Sequence, residues 1–303
     1  MSTASTLPLL VEPPVAVGAP GLSRSRRRPA RSLGAVLAEA QMSDVATLEF
    51  VGGSAAVFTT RSPQKPTANE DVAALWPTSP TSGVLAVADG LGGHASGERA
   101  SRLAIETIQH AIHDALVPVD GQPAPDQLRD AILNGIEKAN KVVRELGNGA
   151  ATTLALVEIQ DHTIRTYHVG DSVILLTGQR GKLKLQTIPH SPIGYAVEAG
   201  LMNEEDAIHH ESRHVISNVI GSEQMRIEIG PTVEMAPRDT LILASDGLLD
   251  NLLPNEIVEF VRSGPLELAV GALVTAAQGR MNNQTGAAPS KPDDLTVIAY
   301  RPS

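Results

Sequence analysis

The sequence predicts an α+β fold in which mainly antiparallel sheets are covered by helices. Three observations point to it. Short β-prone runs follow one another as meanders instead of alternating singly with helices, the helical patterns come in consecutive pairs, and no regular βαβ repeat appears. Aromatic residues make up only 2% of the 303-residue chain. The layers must therefore be filled by Ala, Val, Ile and Leu.

The elements follow in chain order. Residues 1–42 are rich in Pro, Ser, Ala and Arg and show little hydrophobic periodicity, which predicts a disordered tail ahead of a domain over 43–303. Within the tail, Ser32 to Gln41 is expected to form a short helix capped by Ser32. Val84–Ala88 is an apolar run ending in Asp-Gly, the mark of a buried strand meeting a turn. Ser96 to Leu116 has helical spacing, with Ala100, Leu103, Ala104, Thr107, Ile108, Ala111 and Ile112 on one face. A second helix is predicted from Pro125 to Leu146, with proline suited to its start and Gly147 to its end. Thr152–Ile159, Thr163–Val169, Val173–Thr177 and Lys182–Thr187 are β-prone and separated by polar or glycine turns. Pro189 to Gly221 mixes His, Glu, Asn and short helical pieces such as Tyr195–Leu201, and is expected to be a surface insert. Met225–Ile229 and Thr240–Ala244 resume the strands. Glu256–Arg262 and Leu266–Arg280 are predicted helices, and Leu295–Tyr300 a final strand.

Composition excludes several functions. The chain has no cysteine, which removes disulfides, thiolate nucleophiles and Cys-ligated zinc and is compatible with a reducing cytoplasm. The formal net charge of -10 argues against general nucleic-acid binding. The basic residues cluster at Arg24, Arg26, Arg27, Arg28 and Arg31. A solvated tail is the simpler reading of that cluster, and contact with an acidic partner or a membrane surface the sharper one. No apolar run is long enough to span a bilayer. Leu7–Val17 is broken by prolines and precedes the arginines, the reverse of a secretion signal, so a cytoplasmic location is expected.

Three acidic positions share one design. Asp89 follows VLAVA and precedes Gly90, Asp246 follows LILAS and precedes Gly247, and Asp171 follows Gly170 at the end of an apolar run. In each, a strand delivers a short carboxylate to its end and a glycine allows close backbone approach. Asp293 and Asp294 precede the last strand, while Glu70 and Asp71 open another apolar segment. Hard divalent ions require several converging oxygen ligands, and rigid strand ends can place them. Taken singly, each Asp-Gly is more simply a turn.

The order of the motifs carries more than any one of them. Asn69-Glu70-Asp71, Ala88-Asp89-Gly90-Leu91-Gly92-Gly93-His94, Ala150-Ala151-Thr152-Thr153-Leu154, Val169-Gly170-Asp171-Ser172, Ala244-Ser245-Asp246-Gly247-Leu248 and Pro292-Asp293-Asp294-Leu295-Thr296-Val297 occur in that sequence. The chain thereby resembles the type 2C metal-dependent serine/threonine protein phosphatases, of the bacterial single-domain kind. The resemblance implies a four-layer α-β-β-α sandwich, two sheets flanked by helix pairs, with the metals in a cleft at one end and the insert of about 189–221 as a flap. It implies two Mn²⁺ or Mg²⁺ ions. Asp89 would bridge them, the Gly90 carbonyl would bind one, Asp246 and Asp293 would hold the other, and Glu70 would act through water. Asp171 matches a residue that supports a third, weaker metal in some relatives. Asp71, His94 and Asp294 would stand behind the ligands and support them. A hydroxide bridging the two cations would then hydrolyse phosphoserine or phosphothreonine in a protein, with Asp89 and Asp246 as the core of catalysis. The partners implied are a phosphorylated protein and a cognate Ser/Thr kinase; a monomer is expected.

Two departures from that pattern matter. Many relatives carry an arginine four residues before the Glu70 position, where this chain has Pro66; Lys65 or Arg61 would have to grip the phosphate instead, and lysine offers only a point charge. Some relatives have His directly after the bridging Asp-Gly, where this chain has Leu91, so a water would serve as general acid. Thr152 and Thr153 are expected to hydrogen-bond at a strand start, not to act as nucleophiles. His190 opens the insert, and His209, His210 and His214 cluster within it; a solvated loop is the simpler reading there than a zinc site. Two alternatives share the centre: a non-catalytic phosphoprotein-binding relative, and a hydrolase of small phosphoesters.

Overall fold

The computed structural model describes residues 34–92, 96–116, 126–203, 206–207, 209–282 and 289–303. The arginine cluster, Pro125 and His94 lie outside these. Among the described residues the strands are β1 (Ala35–Ala38), β2 (Ala46–Phe50), β3 (Gly53–Thr60), β4 (Asp71–Pro77), β5 (Ser82–Leu91), β6 (Ala151–Thr152), β7 (Leu154–Gln160), β8 (Thr163–Val169), β9 (Val173–Thr177), β10 (Leu183–Gln186), β11 (Glu228–Ile229), β12 (Val233–Glu234), β13 (Thr240–Ala244) and β14 (Leu295–Pro302). The helices are α1 (Ser96–Ala115), α2 (Gln127–Leu146), α3 (Pro192–Glu198), α4 (Asp246–Leu249), α5 (Pro254–Val261) and α6 (Leu266–Met281).

The strands form two antiparallel sheets. One has the order β1-β4-β5-β7-β8-β11, with β12 also on β8 and β6 on β5; the other runs β10-β9-β13-β14-β3-β2. Both faces of each sheet are covered, which is why the strands read as continuous apolar runs despite being antiparallel. Alternation then sorts the side chains. On β5, Leu85 and Val87 face the other sheet, joined by Ile298 and Leu243. Val84, Ala86 and Ala88 face α1 and α2, meeting Ile108 and Ile132. On β13, Ile242 and Ala244 face α5 and α6, meeting Ile257, Val270 and Leu273. Three apolar cores thus separate four layers, helix pair, sheet, sheet, helix pair, as expected.

Two expectations fail within the first stretch: Ala35–Ala38, inside 1–42, belongs to a sheet and not to a disordered tail, and the helix is missing. Ser32 to Gln41 does not yield a helix over its described part: Ala35–Ala38 is β1, paired antiparallel with β4. Pairing covers the edge of β4, and Val36 and Ala38 pack on the α1–α2 core; that tertiary gain outweighs the helix preference of an alanine-rich segment. Smaller shifts have local causes. Helix α3 begins at Pro192, three residues before the expected Tyr195, because the Ser191 Oγ accepts from the Gly194 N–H at 2.9 Å. Helix α5 begins at Pro254, with the Glu256 side chain accepting from the Leu253 N–H at 2.9 Å.

Candidate metal centre

The site grows out of register. On β4 and β5 Asp71 stands opposite Asp89. Each extends the row of side chains that faces the second sheet (73 and 75 on β4, 85 and 87 on β5). A period of two therefore brings both carboxylates to one face at one end of the sandwich. From the second sheet, β13 ends at Ala244 and Ser245 leads directly into α4, whose first residue is Asp246. The Ser245 Oγ donates to Asp71 Oδ2 at 2.7 Å and accepts the Thr296 N–H at 3.0 Å, tying β13, β14 and β4 together beneath the acids. Asn69 completes the floor: its Oδ1 accepts the Asp71 N–H at 3.0 Å, and its Nδ2 donates to Thr59 Oγ1 and to the Ala40 carbonyl.

Backbone contacts fix Asp89. Its N–H donates to Thr153 Oγ1 at 3.0 Å, and its carbonyl accepts from Thr152 Oγ1 at 2.8 Å and the Thr153 N–H at 2.9 Å. Both threonines are spent on hydrogen bonds, as expected. Gly90 needs to be glycine because a Cβ there would lie 2.1 Å from the Gly97 carbonyl oxygen. Gly97 needs it in turn: its Cβ would lie 2.6 Å from the Gly90 oxygen and 2.8 Å from Glu70 Oε1. This reciprocal approach of α1 to β5 was invisible in the sequence, where Gly97 looked like an ordinary helix residue.

Asp171 is reached through Gly170, whose φ of 105° favours glycine. His190 brackets that turn. Its Nδ1 accepts the Gly170 N–H at 3.0 Å, while its main-chain N–H donates to the Gly170 carbonyl at 2.8 Å. The Asn218 amide, oriented by Arg226, donates to the same Nδ1 at 2.8 Å. Nε2 of His190 must then carry the proton, and it donates to Glu228 at 2.9 Å. His168, His190 and Glu228 have metal-like spacing, yet that tautomer leaves His190 no lone pair for an ion. His209, His210 and His214 are exposed.

The second sheet adds residues that the sequence reading missed. Asp250 lies one helical turn after Asp246, and Asp246, Asp250 and Asp293 each offer an oxygen within 4.8 Å of the others. Lys291 sits among them, its Nζ 3.1 Å from Asp246, 2.5 Å from Asp250 and 2.9 Å from Asp293. The four-residue spacing 246–250 was a signal for Asp250; nothing local marked Lys291. Asp294 faces the opposite way. Its oxygens accept the Ser62 and Glu70 N–H groups, both at 2.7 Å, and the Lys65 ammonium at 2.8 Å. Lys65 also pairs with Glu70. The structure therefore brings Lys65 to the cluster with its charge already engaged, while Arg61 is exposed.

Electrostatics show a shortage of positive charge. Burial, followed by Asp71, Asp246, Asp293 and Asp171, pushes the Asp89 carboxyl well above its usual range. Burial and then Asp294 do the same to Asp71. Asp171 is pushed up to about 8 by burial, Asp246 and Asp250. Two buried oxygens, Asp71 Oδ1 and Asp171 Oδ1, have no hydrogen-bond partner. Burial works against the charge on Lys291, but Asp246, Asp250 and Asp293 hold its ammonium above the ordinary lysine range. An all-oxygen donor set, orphaned carboxylate oxygens and a lysine already standing in as a cation fit hard divalent ions such as Mn²⁺ or Mg²⁺. Beside the acids lies a cleft of about 380 Å³, lined by Asp171, Asp246 and Asp250 and, from the insert, Pro189, Ile193 and Val197.

A four-layer sandwich with a dense acidic cluster at one end of its sheets fits a metal-dependent hydrolase, and its relatives make that class the metal-dependent protein phosphatases. Residues 61–277 match the protein phosphatase 2C family, and the chain belongs to that family. It is 30% identical over 232 residues to the protein phosphatase PhpP of Streptococcus pneumoniae, covering 73% of this chain and 91% of that one. Among solved structures, the serine/threonine phosphatase of S. agalactiae superposes with a TM-score of 0.68 at 26% identity, covering 82% of this chain and 99% of that one. The catalytic domain of the serine/threonine protein phosphatase PstP, in complex with two manganese ions, superposes with a TM-score of 0.62 at 25% identity, covering 82% and 96%.

Proposed function

We propose that this chain hydrolyses phosphoserine and phosphothreonine in proteins, using two divalent cations held by Glu70, Asp89, the Gly90 carbonyl, Asp246 and Asp293. Asp171, with Asp246 and Asp250, would serve a third, weaker ion. The observation that carries the reading is the convergence of carboxylates: Asp246, Asp250 and Asp293 offer oxygens within 4.8 Å of one another, and Asp246 stands near enough to Asp89 and Asp171 to raise the proton affinity of both. Divalent ions at such a site lower the pKa of water and neutralise charge on phosphoryl oxygens. The chain's own part is placement: Asp89 is locked by three main-chain hydrogen bonds, and Asp171 by the Gly170 turn that His190 brackets. Lys65 adds a point charge beside Glu70, in place of the guanidinium that Pro66 displaces. Arg61, exposed at the start of the same loop, supplies the second cation for the substrate phosphate.

The partners we infer are a phosphorylated protein and a cognate Ser/Thr kinase, with the enzyme acting as a cytoplasmic monomer. No helix among the described residues is long and apolar enough to cross a membrane. The test is phosphate release from a phosphothreonine peptide with Mn²⁺ and with EDTA, for the wild type, Asp89→Asn and Asp246→Asn. Turnover that requires metal and vanishes in both variants supports the reading. Metal binding without phosphate release would favour the non-catalytic relative, and faster turnover of sugar phosphates than of the peptide would favour a small-phosphoester hydrolase.

A further inference from the structure

We propose that Lys291 is a tethered counter-ion that occupies the Asp246–Asp250–Asp293 subsite of the metal-free protein and must leave before a divalent cation can enter. The inference rests on the reading of the cluster as a metal centre.

The geometry makes the two occupants mutually exclusive. The ammonium lies 2.5 to 3.1 Å from one oxygen of each carboxylate. An ion such as Mn²⁺ or Mg²⁺ would draw those oxygens to about 2.1 Å, so it would stand within van der Waals reach of the ammonium with the same sign of charge. The lysine is also delivered to the site by a fixed backbone. Its N–H donates to Asn251 Oδ1 at 3.0 Å, and its carbonyl accepts from Asn251 Nδ2 at 2.8 Å. Asn251 is buried and also donates to the Gly247 carbonyl at 2.9 Å. The main chain at 291 is thus clamped to the same helical turn that carries Asp246 and Asp250. The side chain as a whole is 27% exposed, so it lies at the edge of the site and not in the core. Lys65 differs. Its partner Asp294 is only 4% exposed and already accepts two main-chain N–H groups, so that pair can persist when metal binds.

A site filled most of the time by its own lysine binds metal with an affinity reduced by the fraction of time it stands open. Isothermal titration of Mn²⁺ into the EDTA-stripped full-length chain tests this for the wild type, Lys291→Gln, Lys291→Arg and Asp246→Asn. Lys291→Gln is expected to tighten one Mn²⁺ site about tenfold, the gain for a site that had been open roughly a tenth of the time. Its thermal midpoint should fall in EDTA and rise more than the wild type's on adding Mn²⁺. Lys291→Arg, which keeps the charge, should stay near wild type. Unchanged or weaker Mn²⁺ affinity in Lys291→Gln overturns the proposal. If Asp246→Asn nevertheless loses a site that the wild type has, the metal-centre reading survives that failure. If no protein binds Mn²⁺, both fall together.

Discussion

The two halves of the acidic cluster meet the same problem differently. On the first sheet Asp71 and Asp89 are held by hydroxyls and main chain, and one Asp71 oxygen is buried without a partner. On the second, Asp246, Asp250 and Asp293 share a lysine. The first half sets Asp71 and Asp89 behind rigid strand ends without a lysine or arginine bonded to either among the described residues, whereas the second is offset in part by one ammonium shared among three carboxylates. Rigid placement with uncompensated charge favours a cation strongly; internal compensation lowers the appetite for one while sparing the metal-free protein. Unpaired buried carboxylates cost more than paired ones, so the halves should respond in opposite ways to loss of charge.

The largest effect expected is on turnover. Asp89→Asn and Asp246→Asn should each lower phosphopeptide hydrolysis by about 10³-fold or more, since each removes a carboxylate proposed to hold a divalent cation. Thermal melts in EDTA should separate them. Asp89→Asn relieves repulsion and should raise the midpoint, while Asp246→Asn removes a partner of Lys291 and should leave it level or lower. Equal shifts would erase the distinction between the halves.

Next in size are the neighbours at 293 and 294. Asp294→Ala strands two main-chain donors and leaves Lys65 only Glu70 as a partner, and should cost about 3 kcal/mol in chemical denaturation. Asp293→Ala strands only one main-chain donor, the Asp294 N–H, and leaves Lys291 two other carboxylates, so it should cost about 1 kcal/mol of metal-free stability, but should weaken Mn²⁺ binding. A similar loss of stability in both would contradict the division of labour between them. Gly247→Ala would put a Cβ 2.0 Å from the Asp294 carbonyl oxygen and should destabilise by about 2 kcal/mol.

The smallest effect is on pH. The folded-state value of Asp171 is about 8, above its unfolded value. The native state therefore binds the extra proton, and this contribution to stability is lost as pH rises toward 8. His168 has the opposite sign: burial first, then His190, lowers it to about 3, so its contribution is present above the unfolded histidine value of about 6.5 and is lost on acidification. Between pH 6.5 and 8 only the acids act. Midpoints in EDTA should fall across that window, and Asp171→Asn should make the fall shallower by at most about 1.4 kcal/mol per pH unit. A slope unchanged in Asp171→Asn would remove Asp171 from the set of charge-strained acids.

Local chemistry decided much of this molecule in advance. Continuous apolar runs leading to Asp-Gly marked β5 and the end of β13, helical spacing marked α1, α2 and α6, and the order of the acidic motifs marked the family and the metals, because all of these depend on residues a few positions apart. Other features belong to the tertiary structure alone. Strand β1 exists because β4 presents an open edge, Gly97 matters because Gly90 presses on it, and Asp71 is held by Ser245 across 174 residues of chain. Lys291 acquires its place from Asn251, 40 residues away. Sequence periodicity records which face of an element is buried; which charges meet at the end of a sandwich depends on how two sheets and their connecting turns close on each other.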